Sequence, residues 1–350
     1  MTLTAHDLIA RHGIGNALAT HSRGVDRADV NLLASSYHPD ATVDYGFFAG
    51  SASTFAAILA EAQKASAPTL HRTGNIWIKV DGARAISESY VIAYVEDADT
   101  QRLVFGRYLD RLAARDGEWR LTHRTYVLEG NTNRPTSVIR ADPQVNFLHF
   151  VPQGAKGAAD PGRALLALSQ ASIPGATPMT VQPDALALDA ALSRAAIHDL
   201  SMAYARGVDR ADAALLKSIF HEDSTVISGV INGPGEQFAD QITAYVSANL
   251  DYCVHSVANE WVEVKGDHAV GELYVIAQMT AGGQDVMTGG RYIDTYQRRN
   301  GTWKIKTRTF VADWNTTHPS TLQKDGFYEA LKTWGSWGKS DPVYAHWASL

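Results

Sequence analysis

The 350-residue chain has a single cysteine, Cys253, so it can form neither an internal disulfide framework nor a cysteine-based zinc cluster. Cys253 lies in the apolar stretch YCVH, where a small buried hydrophobe is the common role. No run of about 18 apolar residues is present to form a membrane-spanning helix, and a soluble protein with no membrane partner is expected. Positive charge is not in excess: 31 Lys and Arg stand against 37 Asp and Glu, a net −6, and no basic stripe marks a nucleic-acid surface. The opening residues MTLTAHDLIARHG lack a basic start, an apolar core and a small-residue cleavage site, which gives a cytoplasmic expectation. No His cluster has consistent metal-ligand spacing, so neither metal nor organic cofactor is expected. What is there, 45% hydrophobic and 19% charged residues, is globular composition at a length that favours two domains.

The heptapeptide RGVDRAD occurs at residues 23–29 and again at 206–212. Shifting the chain against itself extends the match: YHPDATV from Tyr37 meets FHEDSTV from Phe220, and LHRTGNIWIKVDG from Leu70 meets VHSVANEWVEVKG from Val254. ESYVIAY from Glu88 meets ELYVIAQ from Glu272, and GRYLDRL from Gly106 meets GRYIDTY from Gly290. DGEWRLTHRTYVLEGN from Asp116 pairs with NGTWKIKTRTFVADWN from Asn300. A duplicated unit of this length is a domain, not a solenoid repeat.

Each unit opens with helical periodicity, as in AAIHDLSMAYARGVDR, where Ile197, Leu200, Tyr204 and Val208 recur at spacings of three and four. Short helices follow at DAALLKSIF and at TFAAILAEAQ or EQFADQITAYVSANL, after which the period becomes two and turn signals separate strands. Helices first and an antiparallel meander afterwards predict an α+β fold, built twice. The expected division is one unit over 1–150, a Pro/Gly/Ala-rich linker over 151–187, a second unit over 188–318 and an aromatic-rich extension over 319–350 that packs on a domain or a neighbouring subunit. His38 and His221, in HPD and HED, read as turn residues. Trp77, Trp119, Trp261 and Trp303 read as packing, and Glu88 with Glu272 as members of a structural network.

In both units an Asp ends the first helix and a His opens the first long strand: Asp26 with His71, and Asp209 with His255. With AAIHDL…RGVDRAD, the GGRYIDTYQRRNGTWKI stretch and an Arg-containing last strand, the chain resembles the SnoaL-like branch of the nuclear transport factor 2-like superfamily, and within it the hexachlorocyclohexane dehydrochlorinase and scytalone dehydratase group. The resemblance covers about residues 5–134 and 188–318. It implies two tandem cone-shaped α+β barrels, each with about three helices on a curved, mainly antiparallel sheet. It also implies proton abstraction by a buried Asp–His dyad, without metal or cofactor, and places a pocket arginine at Arg124 and Arg308.

Asp orients such a His and His transfers the proton, while an Arg in the wall stabilises developing negative charge. Strand alternation puts Asn75 and Asn259 on the face of the histidines, and Tyr90, Tyr274, Tyr108 and Tyr292 repeat as hydroxyl carriers. Tyr45 has no tyrosine counterpart, because the second unit has Ser228 there. The expected activity is a cofactor-independent dehydratase-type lyase acting on a hydrophobic hydroxylated aromatic or polycyclic molecule. Alternatives are a carbon–carbon lyase releasing formaldehyde from a lignin-derived diarylpropane diol, a ketosteroid-isomerase-like isomerase, and a non-catalytic module for apolar ligands or assembly. A homo-oligomer is expected, and both dyads being intact leaves open whether one unit works or two.

Overall fold

The computed structural model describes residues 3–67, 69–136, 154–161, 185–229 and 231–350. The first unit runs α1 (Ala5–Asp26), α2 (Val30–Ser35), β1 (Tyr37–Asp44), β2 (Ala49–Ser51), α3 (Ala52–Ala65), β3 (Leu70–Asp81), β4 (Arg84–Glu96), β5 (Thr100–Arg115) and β6 (Glu118–Pro135). The second repeats it as α4 (Ala185–Asp209), α5 (Ala213–Ile219), β7 (Phe220–Ile227), β8 (Asn232–Pro234), α6 (Gly235–Asn249), β9 (Tyr252–Lys265), β10 (His268–Ala281), β11 (Gln284–Arg299) and β12 (Thr302–Pro319). Each unit has one six-stranded sheet, in the orders β2-β1-β6-β5-β4-β3 and β8-β7-β12-β11-β10-β9. All neighbours are antiparallel except β1 with β6 and β7 with β12. The fold is α+β, two tandem domains. His38 and His221 begin strands β1 and β7 rather than turns, and each ring meets a backbone carbonyl, of Ala113 and Gln297 respectively.

The heptapeptide is required for three local reasons. Its glycine lets two helices cross: a Cβ on Gly24 would lie 2.6 Å from Leu33 Cα, and one on Gly207 would lie 2.7 Å from the Leu216 side chain. Its alanine, Ala28 or Ala211, takes the left-handed conformation (φ 53° or less) that breaks the helix. Its final Asp then caps the next helix, Asp29 accepting from Leu32 N–H at 3.0 Å and Asp212 from Leu215 N–H at 3.1 Å. On α1 the residues Ile14, Leu18, His21 and Val25, three and four apart, are buried against the sheet.

Strand alternation is interrupted in the histidine-bearing strand of both units. The pairing of β3 with β4 slips between Gly74 and Trp77, and that of β9 with β10 slips at the matching position, with Asn75 and Asn259 in left-handed conformations (φ 44° and 50°). One extra residue inverts every later side chain. Thr73 therefore faces α1, its hydroxyl 2.8 Å from that of Ser22, whereas Asn75 faces outward into the second unit. Asn75 Nδ2 donates to His255 O (2.6 Å), and its Oδ1 accepts from Val257 N–H (2.8 Å). Trp77, also outward, lies under the Arg206 guanidinium, 3.9 Å from its ring centre.

The outer face of the first sheet is buried against the end of α4, strand β9 and the C-terminal extension. Six charges meet there. Arg107, fully buried, donates to Glu88, Glu129 and Asp341; Arg206 donates to the other oxygen of Glu88 at 2.6 Å; Arg210 reaches Glu129 at 2.7 Å and Asp341 at 3.1 Å. Beside them Tyr90 and Phe105 pack on Tyr252 and Val254. Past Pro319 the chain lies along the first unit: Trp334 bridges Leu128, Tyr328 and Leu331 join its core, and Asp341 caps α7 (Pro342–Trp347).

The described part of the expected linker carries a turn that recurs in the C-terminal extension. GAADP at 157–161 repeats as GKSDP at 338–342. Both open on a left-handed glycine whose N–H donates to the second arginine of the heptapeptide, Gly157 to Arg27 O (2.6 Å) and Gly338 to Arg210 O (2.7 Å). Both then place an Asp on that arginine's side chain, Asp160 on Arg27 at 3.4 Å and Asp341 on Arg210 at 3.1 Å.

Removing one partner from a buried ion cluster leaves a charge uncompensated, so Asp341→Asn should destabilise the chain by about 3–5 kcal/mol at neutral pH. Burial alone would raise the Asp341 carboxyl; Arg107 and Arg210 outweigh it and hold it down at about 2, below the ordinary 3.8. Its contribution is then present above pH ~4 and lost as pH falls towards 2. Denaturant unfolding of wild type and variant at pH 7 and at pH 2.5 measures this: the gap should shrink at the lower pH.

Candidate active site

The end of α1 and the start of β3 bring the first dyad together. His71 Nδ1 lies 2.7 Å from Asp26 Oδ1, the His71 backbone N–H donates to Oδ2 at 2.9 Å, and the Thr69 hydroxyl donates to Oδ1 at 3.0 Å. Three donors on one carboxylate fix its orientation, and the Nδ1–H…Asp bond leaves Nε2 as the nitrogen free to take a proton. The second dyad repeats the geometry, with His255 Nδ1 2.6 Å from Asp209 Oδ1 and His255 N–H 2.9 Å from Oδ2. Cys253 takes the place of Thr69, its thiol 3.4 Å from Asp209 Oδ1.

Arg124 and Arg308 are buried inside their cones. Each forms a two-pronged pair, Arg124 with Asp110 (2.7 and 2.7 Å) and Arg308 with Asp294 (2.9 and 2.6 Å), and each keeps Nη1 without a hydrogen-bond partner. Arg124 lies 3.8 Å over the Tyr108 ring; Arg308 lies 4.0 Å over Tyr204 and 4.4 Å over Tyr292. Tyr45 stacks on Tyr126 and Phe55 in the same interior.

Two groups missed in the sequence stand here. His21 is buried edge-on to Tyr37 and Tyr108, with neither ring nitrogen hydrogen-bonded. Burial first, then Arg124 and His71, push its pKa well below the usual 6.5, so the ring is neutral. The Tyr37 hydroxyl likewise forms no well-shaped hydrogen bond, and burial followed by the nearby Tyr45 raises it far above the ordinary tyrosine value. The signal was legible on α1, where His21 continues the apolar stripe Ile14, Leu18, Val25.

The two interiors have diverged. Tyr37, Tyr45, His21 and Tyr126 correspond to Phe220, Ser228, Tyr204 and Phe310. The Tyr204 ring packs against Phe238, Phe220 and Tyr292. In the first unit Tyr37, Tyr45, His21 and Arg124 together place around the dyad region five buried polar atoms that form no well-shaped hydrogen bond, Tyr45 standing between Arg124 and Tyr37; in the second only the arginine keeps such a nitrogen.

Four residues expected in the pocket lie elsewhere. The bulge turns Asn75 to the other unit and leaves Asn259 exposed. Tyr90 is on the outer face against Tyr252, and its counterpart Tyr274, 46% exposed, is on the open outer face of the second sheet. Trp261, read as packing, is 57% exposed on that same side. A cleft of about 760 Å³ lies between the units, bordered by Arg11, Trp77, Arg298 and Trp303, and no dyad residue lines it.

Asp209, Cys253 and His255 bring three ligand-type atoms within 4.8 Å. Asp209 Oδ1 already lies in hydrogen-bond reach of both others, and burial followed by Asp209 raises the Cys253 thiol far above its ordinary value. The group is arranged as two donors on one carboxylate, not as a thiolate site.

The SnoaL-like domain family matches residues 6–125 and 189–309, more than half of the chain. The chain belongs to this family. One SnoaL-like unit is 28% identical over 134 residues to the gamma-hexachlorocyclohexane dehydrochlorinase of Sphingobium indicum, covering 37% of this chain and 86% of the relative. Hexachlorocyclohexane dehydrochlorinase 1 of the same species is 28% identical over 123 residues, covering 34% and 80%. Among solved structures, a hexachlorocyclohexane dehydrochlorinase of Novosphingobium barchaimii LL02 matches with 27% identity, 36% of this chain, 90% of that chain and a TM-score of 0.34. A candidate scytalone dehydratase of Novosphingobium aromaticivorans matches with 20% identity, 37% and 93% coverage and a TM-score of 0.34.

A neutral buried histidine makes stability depend on pH. His21 is depressed in the folded state, so below about pH 6.5 the unfolded chain binds the extra proton and stability falls as pH falls. Replacing His21 with Leu should remove that part of the acid sensitivity. Urea unfolding at pH 7 and pH 5 should show wild type losing about 1–2 kcal/mol more than the variant between the two.

Proposed function

We propose that the first unit is a cofactor-independent lyase site that carries out dehydratase-type elimination on a hydrophobic hydroxylated aromatic or polycyclic molecule. The observation that carries this reading is the set of five buried polar atoms without a well-shaped hydrogen bond beside an oriented Asp–His pair, in one unit and not the other. Unsatisfied buried donors are unfavourable unless a ligand or water completes them. The relatives named for a dehydrochlorinase activity are consistent with elimination.

In this mechanism His71 Nε2 takes the proton from an acidified carbon. Its electron pair forms the new double bond, and the hydroxyl on the adjacent carbon departs with the bonding pair, receiving the proton from the His71 imidazolium to leave as water. Asp26 stabilises that imidazolium. Arg124 Nη1 stabilises negative charge on a substrate oxygen as it develops, and Tyr37 and Tyr45 supply neutral donors, since burial first and foremost keeps both hydroxyls protonated. The second unit, where of this set only the arginine nitrogen is left over, acts as scaffold. The formaldehyde-releasing alternative uses the same base on a hydroxyl proton, and the two are told apart by product.

Turnover of aromatic diols and hydroxylated polycycles without added cofactor tests the assignment. His71→Gln should lower kcat by about 10²–10⁴-fold, while His255→Gln should leave it close to wild type. Equal turnover by wild type and His71→Gln would sink the reading, and loss of activity in His255→Gln alone would move the site to the second unit.

A further inference from the structure

The six-charge cluster on the outer face of the first sheet exists twice in this chain, and only one copy is assembled. Its three members on the sheet, Glu88, Arg107 and Glu129, recur as Glu272, Arg291 and Asp313, joined in the same way: Arg291 donates to Asp313 at 3.1 and 3.3 Å and stands 3.6 Å from Glu272. The first trio is completely covered, while the second is about one-third exposed. The three members that cover the first trio, Arg206, Arg210 and Asp341, recur as Arg23, Arg27 and Asp160, with Asp160 already held on Arg27. Arg23 has no ion-pair partner among the described residues.

The apolar part of the junction is duplicated too. Val254, buried against Tyr90 and Phe105, corresponds to Leu70, which is 57% exposed; Tyr90 corresponds to the exposed Tyr274. At the assembled junction Tyr252 fills a slot over Gly130, where a Cβ would sit 2.3 Å from its ring. At the open face that slot holds the face's own Trp314, and the sequence has Pro68 where the second unit has Tyr252. Bulk lost from one side of the junction is present on the other.

We propose that the outer face of the second sheet receives the α1 end of a second copy of this chain, and that two such junctions close a head-to-tail dimer. Among the described residues Leu70, Tyr274 and the second trio are open, Arg23 and Arg27 are half-exposed, and Asp160 is already seated on Arg27; each junction joins two different patches, like the one inside the chain, and a twofold axis relating two chains forms it twice. On assembly Arg23 meets Glu272 as Arg206 meets Glu88, and Leu70 packs beside Tyr274 as Val254 packs beside Tyr90. This gives the expected homo-oligomer a defined surface and is independent of the lyase assignment.

Light scattering on the full chain in solution tests it. Wild type should have twice the 38.0 kDa chain mass, whereas Arg291→Glu and Leu70→Asp should each have the mass of one chain. Arg23→Glu and Glu272→Arg should each weaken the dimer, and the two together should restore it. These side chains are at least partly exposed, and circular dichroism and thermal melting should show each variant folded. A wild-type monomer at the highest attainable concentration, a dimer that Arg291→Glu and Leu70→Asp leave intact, or an assembly larger than two chains would each overturn the proposal.

Discussion

The junction between the two units centres on one buried cluster of three arginines and three carboxylates. Isolated charges in that position would be prohibitive, but matched in number and interlocked in hydrogen bonds they are tolerated only in one arrangement. Glu129 takes part because β6 bulges there, its pairing with β5 slipping between Phe105 and Gly106. Glu88 is held below the ordinary carboxyl value, Arg206 and Arg107 overcoming its burial, while burial keeps Glu129 above it despite Arg107 and Arg210. Arg206 and Arg210 are also the arginines that flank the second dyad's aspartate, so the same turn of helix aims Asp209 inward and locks the unit outward.

Duplication has preserved the frame of the site and released its contents. Asp, His and the inner Arg–Asp pair are the same in both units because they organise the helix–strand junction and the cone interior. The groups that would meet a ligand differ: an imidazole and three phenols in one unit, and a phenol, two phenyl rings and a serine hydroxyl in the other. Thr69 and Cys253 illustrate the difference at one atom, each donating to the dyad carboxylate, but with a strong hydroxyl donor in one case and a weak thiol in the other.

The fold was legible because its signals are local: helical stripes, alternation, turn residues and a long self-match. The dyads were legible because a family resemblance joined residues that spacing alone left apart. Asn75 and Asn259 were misplaced because alternation presumes an unbroken ladder, and nothing in HRTGNIW announces a bulge except an Asn able to adopt a left-handed conformation. Tyr90 and Tyr274 were taken for pocket groups because a repeated hydroxyl does not say which face of a strand it occupies. The charge cluster gathers residues from β4, β5, β6, α4 and the extension, and such long-range convergence leaves no mark in a linear pattern. The GAADP turn passed for linker composition, and its counterpart GKSDP was hidden among the aromatics of the extension.

β3 and β9 are the outermost strands of their sheets and lie against each other, yet they do not form a ladder. Asn75, set outward by the bulge, binds a backbone carbonyl and a backbone amide of β9 with its side-chain amide, mimicking one step of strand pairing and preventing the next. The joint is thus a stopper on two open edges, each of which would otherwise be a template for adding further chains. An isolated half of this protein would lose it, and the strand that carries the histidine would become the part most prone to aggregation.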